Sequence, residues 1–350
     1  MTTSNPSLRL LVTGATGFIG SRLALHTHRL GMDVIATGRA ELPVEIERLN
    51  ELRAANVRVE AGVLQDAALA ERVLQGRNCV IHLAAAQHES EKPESYFRAV
   101  NVDATRALLE RCVAAGVERF VYGSSIGVYG ESGSALLDEN SPLRPQNAYT
   151  RTKVEAEGLV KRYAGRIGTC VIRISETYGP GDQRLLKLFK TIDRGHFVMI
   201  GPGTNCRQMM HVNDLIRVLL MAGQHERAVG ETFVVAGQEV LTTNQTVKTI
   251  AEILERTPPR LRVPLWPFMA AAKVFEATLP RFNIQPPIHE RRLDFFRKSF
   301  VFSTVKAKHV LGFQPEITFH AGAADTAAWY RSRGLLSARE ASEVARTESA

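Results

Sequence analysis

Tyr149 and Lys153, in the string YTRTK (149–153), are the residues whose types and spacing first suggest chemistry. At i and i+4 they share one face of a helix. An unperturbed phenol titrates near about 10 and is a poor base at neutrality, but an ammonium a few ångströms away favours the phenolate and brings it towards the working range. Ser125 follows the apolar run Arg119–Gly123 and is the expected partner that orients a substrate oxygen. Together these three groups would move protons at an alcohol or ketone oxygen, and a second agent must carry the hydride.

A binding site for such an agent is written near the start of the chain. The apolar run Arg9–Thr13 leads into TGATGFIG (13–20), where Gly14, Gly17 and Gly20 are spaced G-x-x-G-x-x-G. Gly14 permits a tight turn, Gly17 lets backbone approach a pyrophosphate, and Gly20 lets the next helix pack closely on the strand. The pyrophosphate would sit at that helix's N-terminus, where free N–H groups and the dipole favour negative charge. Thr16, Phe18 and Ile19 fall in the same loop and first turn and are expected at the dinucleotide. The second strand ends VIATGR (34–39), with Gly38 and Arg39 where an acid would bond the ribose hydroxyls. An arginine there welcomes a 2′-phosphate, so the expected cofactor is NADP or NAD, with NADP favoured. No metal is expected.

The elements that must hold these residues follow from periodicity. Short apolar runs at Arg9–Thr13, Asp33–Thr37, Val57–Ala61, Cys79–Leu83, Arg119–Gly123 and Cys170–Ile174 alternate with helical patterns such as Ser21–Leu30 and Ala104–Ala115, the latter stopped by Gly116. That alternation predicts repeated βαβ units, hence an α/β fold of the Rossmann type: a doubly wound parallel sheet with helices on both faces. The dinucleotide-binding domain is expected over 8–180. Beyond it come apolar runs at Phe197–Ile200 and Thr232–Ala236 and a last helix near Ala323–Ser332. These predict a smaller substrate-binding lobe over 181–335, interleaved with the first domain and lying over the sheet's carboxyl edge. Residues 336–350 carry few apolar side chains and are expected to be a disordered tail.

Composition narrows the function classes. Lys and Arg outnumber Asp and Glu by 44 − 36 = 8, a balance that suits an anionic small molecule such as a dinucleotide. No basic run with interleaved aromatics points to nucleic acid. The four cysteines stand far apart without a C-x-x-C pair, which fits reduced thiols in a cytoplasmic protein. The greasy stretch PLWPFMAAAKVFEATLP (264–280) is broken by Pro267, Lys273 and Glu276 and falls short of the roughly 20 apolar residues of a membrane span, so it reads as a buried or ligand-facing helix.

These motifs have company. TGATGFIG (13–20), HLAA (82–85), NVDAT (101–105), VYGSSIGVYG (121–130), YTRTKVEAE (149–157), RISETYGPG (173–181) and RQMMHVNDL (207–215) stand in the order of the blocks of one family. Over residues 8–335 the chain resembles an extended short-chain dehydrogenase/reductase, the NAD-dependent epimerase/dehydratase family. The resemblance implies that Ser125 rather than Ser124 is the catalytic serine, beside Tyr149 and Lys153. It implies that Ala84 and Ala85 line the nicotinamide ribose, that Lys153 also touches that ribose, and that Arg207 contacts a substrate diphosphate. It also allows a homodimer.

The departures from the family are informative. Ile126-Gly127 stands where sugar dehydratases carry Asp-Glu, which disfavours a 4,6-dehydratase and the related decarboxylases. Val63 replaces an adenine-contacting acid, with Asp66 following as a helix cap. Glu176 occupies the place of a substrate-binding asparagine and would repel an anionic substrate unless paired, with Arg173 or Arg207 as the available partners. The leading expectation is a nucleotide-sugar epimerase. The second is an NADP(H)-linked dehydrogenase or reductase of a steroid-like or dihydroflavonol-type hydrophobic alcohol or ketone. A noncatalytic dinucleotide-binding regulator is the third, and it has little reason to keep Ser, Tyr and Lys together.

Overall fold

The computed structural model describes residues 8–87, 89, 92–131, 133, 135–278 and 290–337. The tail expected over 336–350 lies outside the described residues from 338 onward, as do Leu279 and Pro280 of the apolar stretch. The chain folds into two compact units. One is formed by the described residues of Met1–Thr177, Cys206–Val240 and Lys298–Thr318, the other by those of Tyr178–Asn205, Leu241–Arg297 and Phe319–Ala350.

The first unit is built on seven strands: β1 (Arg9–Thr13), β2 (Asp33–Gly38), β3 (Arg58–Ala61), β4 (Cys79–His82), β5 (Arg119–Ser125), β6 (Gly168–Ile174) and β7 (Thr232–Val235). Their order is β7-β6-β5-β4-β1-β2-β3, and every pairing is parallel. The interior strands β1, β4, β5 and β6 are covered on both faces, which explains their apolar runs, whereas the edge strand β3 is partly exposed along its length. Leu10, Val12, Ile81 and Val121 enter one core cluster, while Leu11, Val80, Phe120 and Tyr122 enter another. The helices on these faces include α1 (Phe18–Arg29), α2 (Pro43–Ala54) and α3 (Ala67–Leu74), the last capped by Asp66, which accepts from Ala68 N and Leu69 N. Next come α4 (Glu94–Arg98), a π-turn over Ala99–Asp103, and α5 (Ala104–Ala114), which stops before Gly116 at φ 70°.

The chain runs from β1 outward to β2 and β3, then returns to β4 on the other side of β1. That reversal opens a crevice at the carboxyl ends of β1 and β4, where open α/β sheets bind ligands. The glycine loop leaves β1 there, and Ala84 and Ala85 leave β4 there.

The run at Thr232–Ala236 is a correction: it forms β7, the sheet's edge strand beside β6, and is not part of the smaller unit. A short apolar run between Gly230 and Gly237 does not reveal which sheet it joins.

The second unit contains α7 (Leu186–Asp193), α9 (Thr243–Ile253), α10 (Trp266–Thr278), α11 (Glu290–Arg297) and α13 (Phe319–Ser332). The remaining helices, α6 (Ala148–Arg162), α8 (Val212–Gln224) and α12 (Val305–Leu311), belong to the first unit. Of the expected strand Phe197–Ile200 only Met199–Ile200 is extended, pairing with Arg262–Val263. Phe189 meets Tyr330 edge-on at 5.3 Å, and the Tyr330 hydroxyl donates to Asp182 O. The apolar stretch forms α10 as expected, but it is not a buried helix. Ala272 is buried, whereas Trp266 is 73% exposed and Val274 57%. Packing on α11 covers one side of α10 and leaves Trp266 and Val274 exposed. Among the described residues no helix is long and apolar enough to cross a membrane.

Candidate active site

The β1–α1 turn is shaped by close approach. Gly14 adopts φ 68°, and a Cβ there would lie 2.7 Å from Ala84 N, so no side chain can stand between the loop and the end of β4. A Cβ on Gly20 would lie 2.3 Å from Gly14 O, which explains why the first turn of α1 can seat against the loop. Gly17 caps α1 without a side chain, and the helix's first turn holds no acidic residue. The N–H groups of Phe18, Ile19 and Gly20 therefore begin a helix with no side-chain cap, a setting that fits a pyrophosphate. Thr16 is buried beneath Gly38, where a Cβ would meet the Thr16 hydroxyl at 2.6 Å.

The floor on the β4 side is a buried hydrogen-bond chain. Thr13 Oγ1 accepts from Leu83 N at 3.1 Å and Ala84 N at 3.2 Å, and lies 2.7 Å from His82 Nδ1. Thr105 spends its single hydroxyl proton on Asn101 O, so His82 Nε2, 3.0 Å from Thr105 Oγ1, must donate and Nδ1 must accept from Thr13. Burial pushes His82 down to about 3, with the Lys153 charge adding to the effect, so the ring is neutral. Asn101 holds Ala86 through both its amide groups and donates to Thr152 Oγ1 at 3.0 Å. The chain thus runs from the glycine loop to α6.

That helix carries Tyr149 and Lys153, and its N-cap Asn147 accepts from Thr150 N. Lys153 is 2% exposed, and its ammonium donates to Gly123 O at 2.7 Å, 4.6 Å from the Tyr122 ring and 6.0 Å from the Tyr149 ring. Burial pushes the amine down to about 7, with Glu157 opposing. Ser125 ends β5 and caps the turn Ile126–Tyr129, its Oγ accepting from Gly127 N at 3.1 Å. It remains partly exposed. Ser124 is buried and spent on Glu157 at 2.6 Å, so of the two serines Ser125 is the one with access to a substrate.

Arg39, just past β2, is 30% exposed and engaged by Tyr96 Oη at 2.9 Å, Glu89 at 3.2 Å and Glu45 at 3.4 Å. Arg207 is buried and pairs with Glu176 through both carboxylate oxygens. Arg173 instead meets Glu157, which settles between the two partners considered for Glu176. Sequence reading missed the roles of Glu157, His82 and Asn101. The signal for Glu157 was present, since it stands four residues after Lys153 and so on the same helical face.

A family model described as the NAD-dependent epimerase/dehydratase family matches residues 10–236. A dTDP-glucose 4,6-dehydratase of Streptomyces griseus is 29% identical over 92% of this chain and 93% of its own length. The 3beta-hydroxysteroid-dehydrogenase/decarboxylase isoform 1 of Arabidopsis thaliana is 26% identical, over 89% and 77%. The solved structure of MoeE5 in complex with UDP-glucose and NAD is 27% identical over 93% of this chain and 99% of that chain, with a TM-score of 0.72. With the family model matched over residues 10–236 and the parallel sheet in place, the chain belongs to the NAD-dependent epimerase/dehydratase family and is an enzyme of the extended short-chain dehydrogenase/reductase type.

Proposed function

We propose that this enzyme oxidises and reduces a secondary alcohol or ketone, with Ser125, Tyr149 and Lys153 as its catalytic residues. The observation that carries this reading is the seat of Lys153, whose ammonium donates at 2.7 Å to Gly123 O, two residues before Ser125, and lies 6.0 Å from the Tyr149 ring. Ser125 orients the substrate oxygen, Tyr149 takes or returns its proton, and Lys153 holds charge beside the phenol and reaches the nicotinamide ribose. A bound nicotinamide supplies a hydride acceptor or donor. Gly14, Thr16, Gly17, Phe18, Ile19, Gly20, Ala84 and Ala85 form its cradle, and Arg39 favours NADP over NAD by offering its guanidinium to a 2′-phosphate in competition with Glu45 and Glu89.

The substrate class proposed first is a nucleotide sugar, epimerised by oxidation and re-reduction from the other face. Arg207 receives the diphosphate in this reading. Glu176, whose side chain is 38% exposed, has room to swing away when that anion arrives. The Glu176–Arg207 pair also favours a second reading. Left in place it neutralises Arg207, and the site then suits an uncharged hydrophobic alcohol or ketone.

A panel of UDP-sugars and hydrophobic ketones, assayed with both cofactors, tests the proposal. Change of configuration with no net nicotinamide turnover supports epimerisation, while stoichiometric nicotinamide turnover supports the second reading. Neither change with any member removes both.

A further inference from the structure

Glu157 lies 2% exposed on α6, one helical turn beyond Lys153. Its Oε1 accepts from Ser124 Oγ at 2.6 Å and Arg173 Nε at 3.1 Å, and its Oε2 from Arg173 Nη2 at 2.8 Å. Arg173, on β6, also donates to Tyr129 Oη at 2.8 Å and Glu139 O at 3.0 Å. One carboxylate therefore joins the strand of Ser125, the turn that follows it, β6 and the helix of Tyr149 and Lys153.

A buried ion pair is poor value for stability alone, since apolar residues of the same volume often hold a core as well or better. Its place here, bonded to the residue before Ser125 and one helical turn from Lys153, gives it another use. We propose that Glu157 is a positioning residue of the proton-transfer site, seating the Ser125 strand on α6 through Ser124 and Arg173 and standing as the anion one helical turn from Lys153. The inference rests on the proton-transfer reading of Tyr149 and Lys153.

The groups facing Lys153 have distinct charges. His82 from β4 is neutral, Tyr122 from β5 is a buried phenol held well above its ordinary range by burial, and Tyr149 shares α6. Arg173 from β6 is the cation behind Glu157, which leaves Glu157 as the anion of the set. With Glu157 removed, Lys153 gives up its proton at lower pH. Tyr149 then loses its cationic neighbour and becomes harder to ionise.

The test needs no substrate. Phenolate absorbance is titrated in ultraviolet difference spectra between each protein and its Tyr149→Phe counterpart, with thermal unfolding followed alongside. The charge-balanced double variant Glu157→Gln/Arg173→Gln is expected to raise the Tyr149 titration by about one pH unit. Glu157→Asp, which withdraws the carboxylate by one methylene, is expected to shift it less in the same direction, and it carries the test should the double variant fail to fold. A Tyr149 titration that does not rise in either variant, while Lys153→Met does raise it, overturns the role of Glu157. If Lys153→Met leaves the titration unmoved as well, the Tyr149–Lys153 reading itself has failed.

Discussion

The Lys153 ammonium donates to the Gly123 carbonyl at 2.7 Å from a side chain buried between β5 and α6. Burial is the larger influence on it and brings its titration from 10.5 down to about 7. An unfolded chain thus holds more protons at this residue than the folded one between about 7 and 10.5, so this group's contribution to folding stability rises with pH across that window and is least favourable below it. Lys153→Met should unfold several degrees higher than the wild type at pH 6, with the gap closing towards pH 10. Thermal unfolding across that range checks this, and a variant less stable at pH 6 would contradict it. The same variant should bind dinucleotide more weakly if Lys153 serves the proposed role at the nicotinamide ribose.

Two glycines of the cradle should fail in different ways. Gly20→Ala drives a methyl into Gly14 O, where only 2.3 Å is available, and should cost about 1–3 kcal/mol of stability. Gly17 has 3.0 Å to the same oxygen and an ordinary φ of −81°, so Gly17→Val should fold but lose dinucleotide affinity by tenfold or more. Denaturant unfolding and calorimetric titration separate the two. Full affinity in Gly17→Val would place the cofactor elsewhere.

Arg39 is expected to decide between cofactors. Wild-type protein should bind NADP(H) more tightly than NAD(H), and Arg39→Ala should narrow the difference by weakening NADP(H) while freeing Glu45 and Glu89. Titration calorimetry with all four nucleotides measures it. A clear wild-type preference for NAD(H) would end the proposal.

Much of this architecture is legible in the residues. The interior strands are readable because both faces of a parallel sheet are buried there, so Leu10-Leu11-Val12 or Cys79-Val80-Ile81 runs apolar without a break. The glycine spacing and the Tyr149–Lys153 interval are local, and local geometry survives in sequence. Long-range pairings do not. Glu157 and Arg173 are 16 residues apart and meet only because β6 lies beside β5 under α6. The pairing of Arg207 with Glu176 spans 31 residues and was one of two alternatives until the strands were placed. The exposure of α10 was hidden for a related reason: apolar content says that a surface seeks a neighbour and does not say whether one is there.

In the proposed reaction Tyr149 moves the proton while a nicotinamide takes the hydride from a secondary carbinol. The most direct measurement is single-turnover absorbance of reduced nicotinamide, for wild type and Tyr149→Phe, on mixing oxidised cofactor complex with whichever alcohol the substrate panel returns. The substitution preserves shape and removes the acid–base group, so reduced nicotinamide should form roughly 10²- to 10⁴-fold more slowly, with cofactor affinity little changed. Formation at the wild-type rate in Tyr149→Phe would contradict the account.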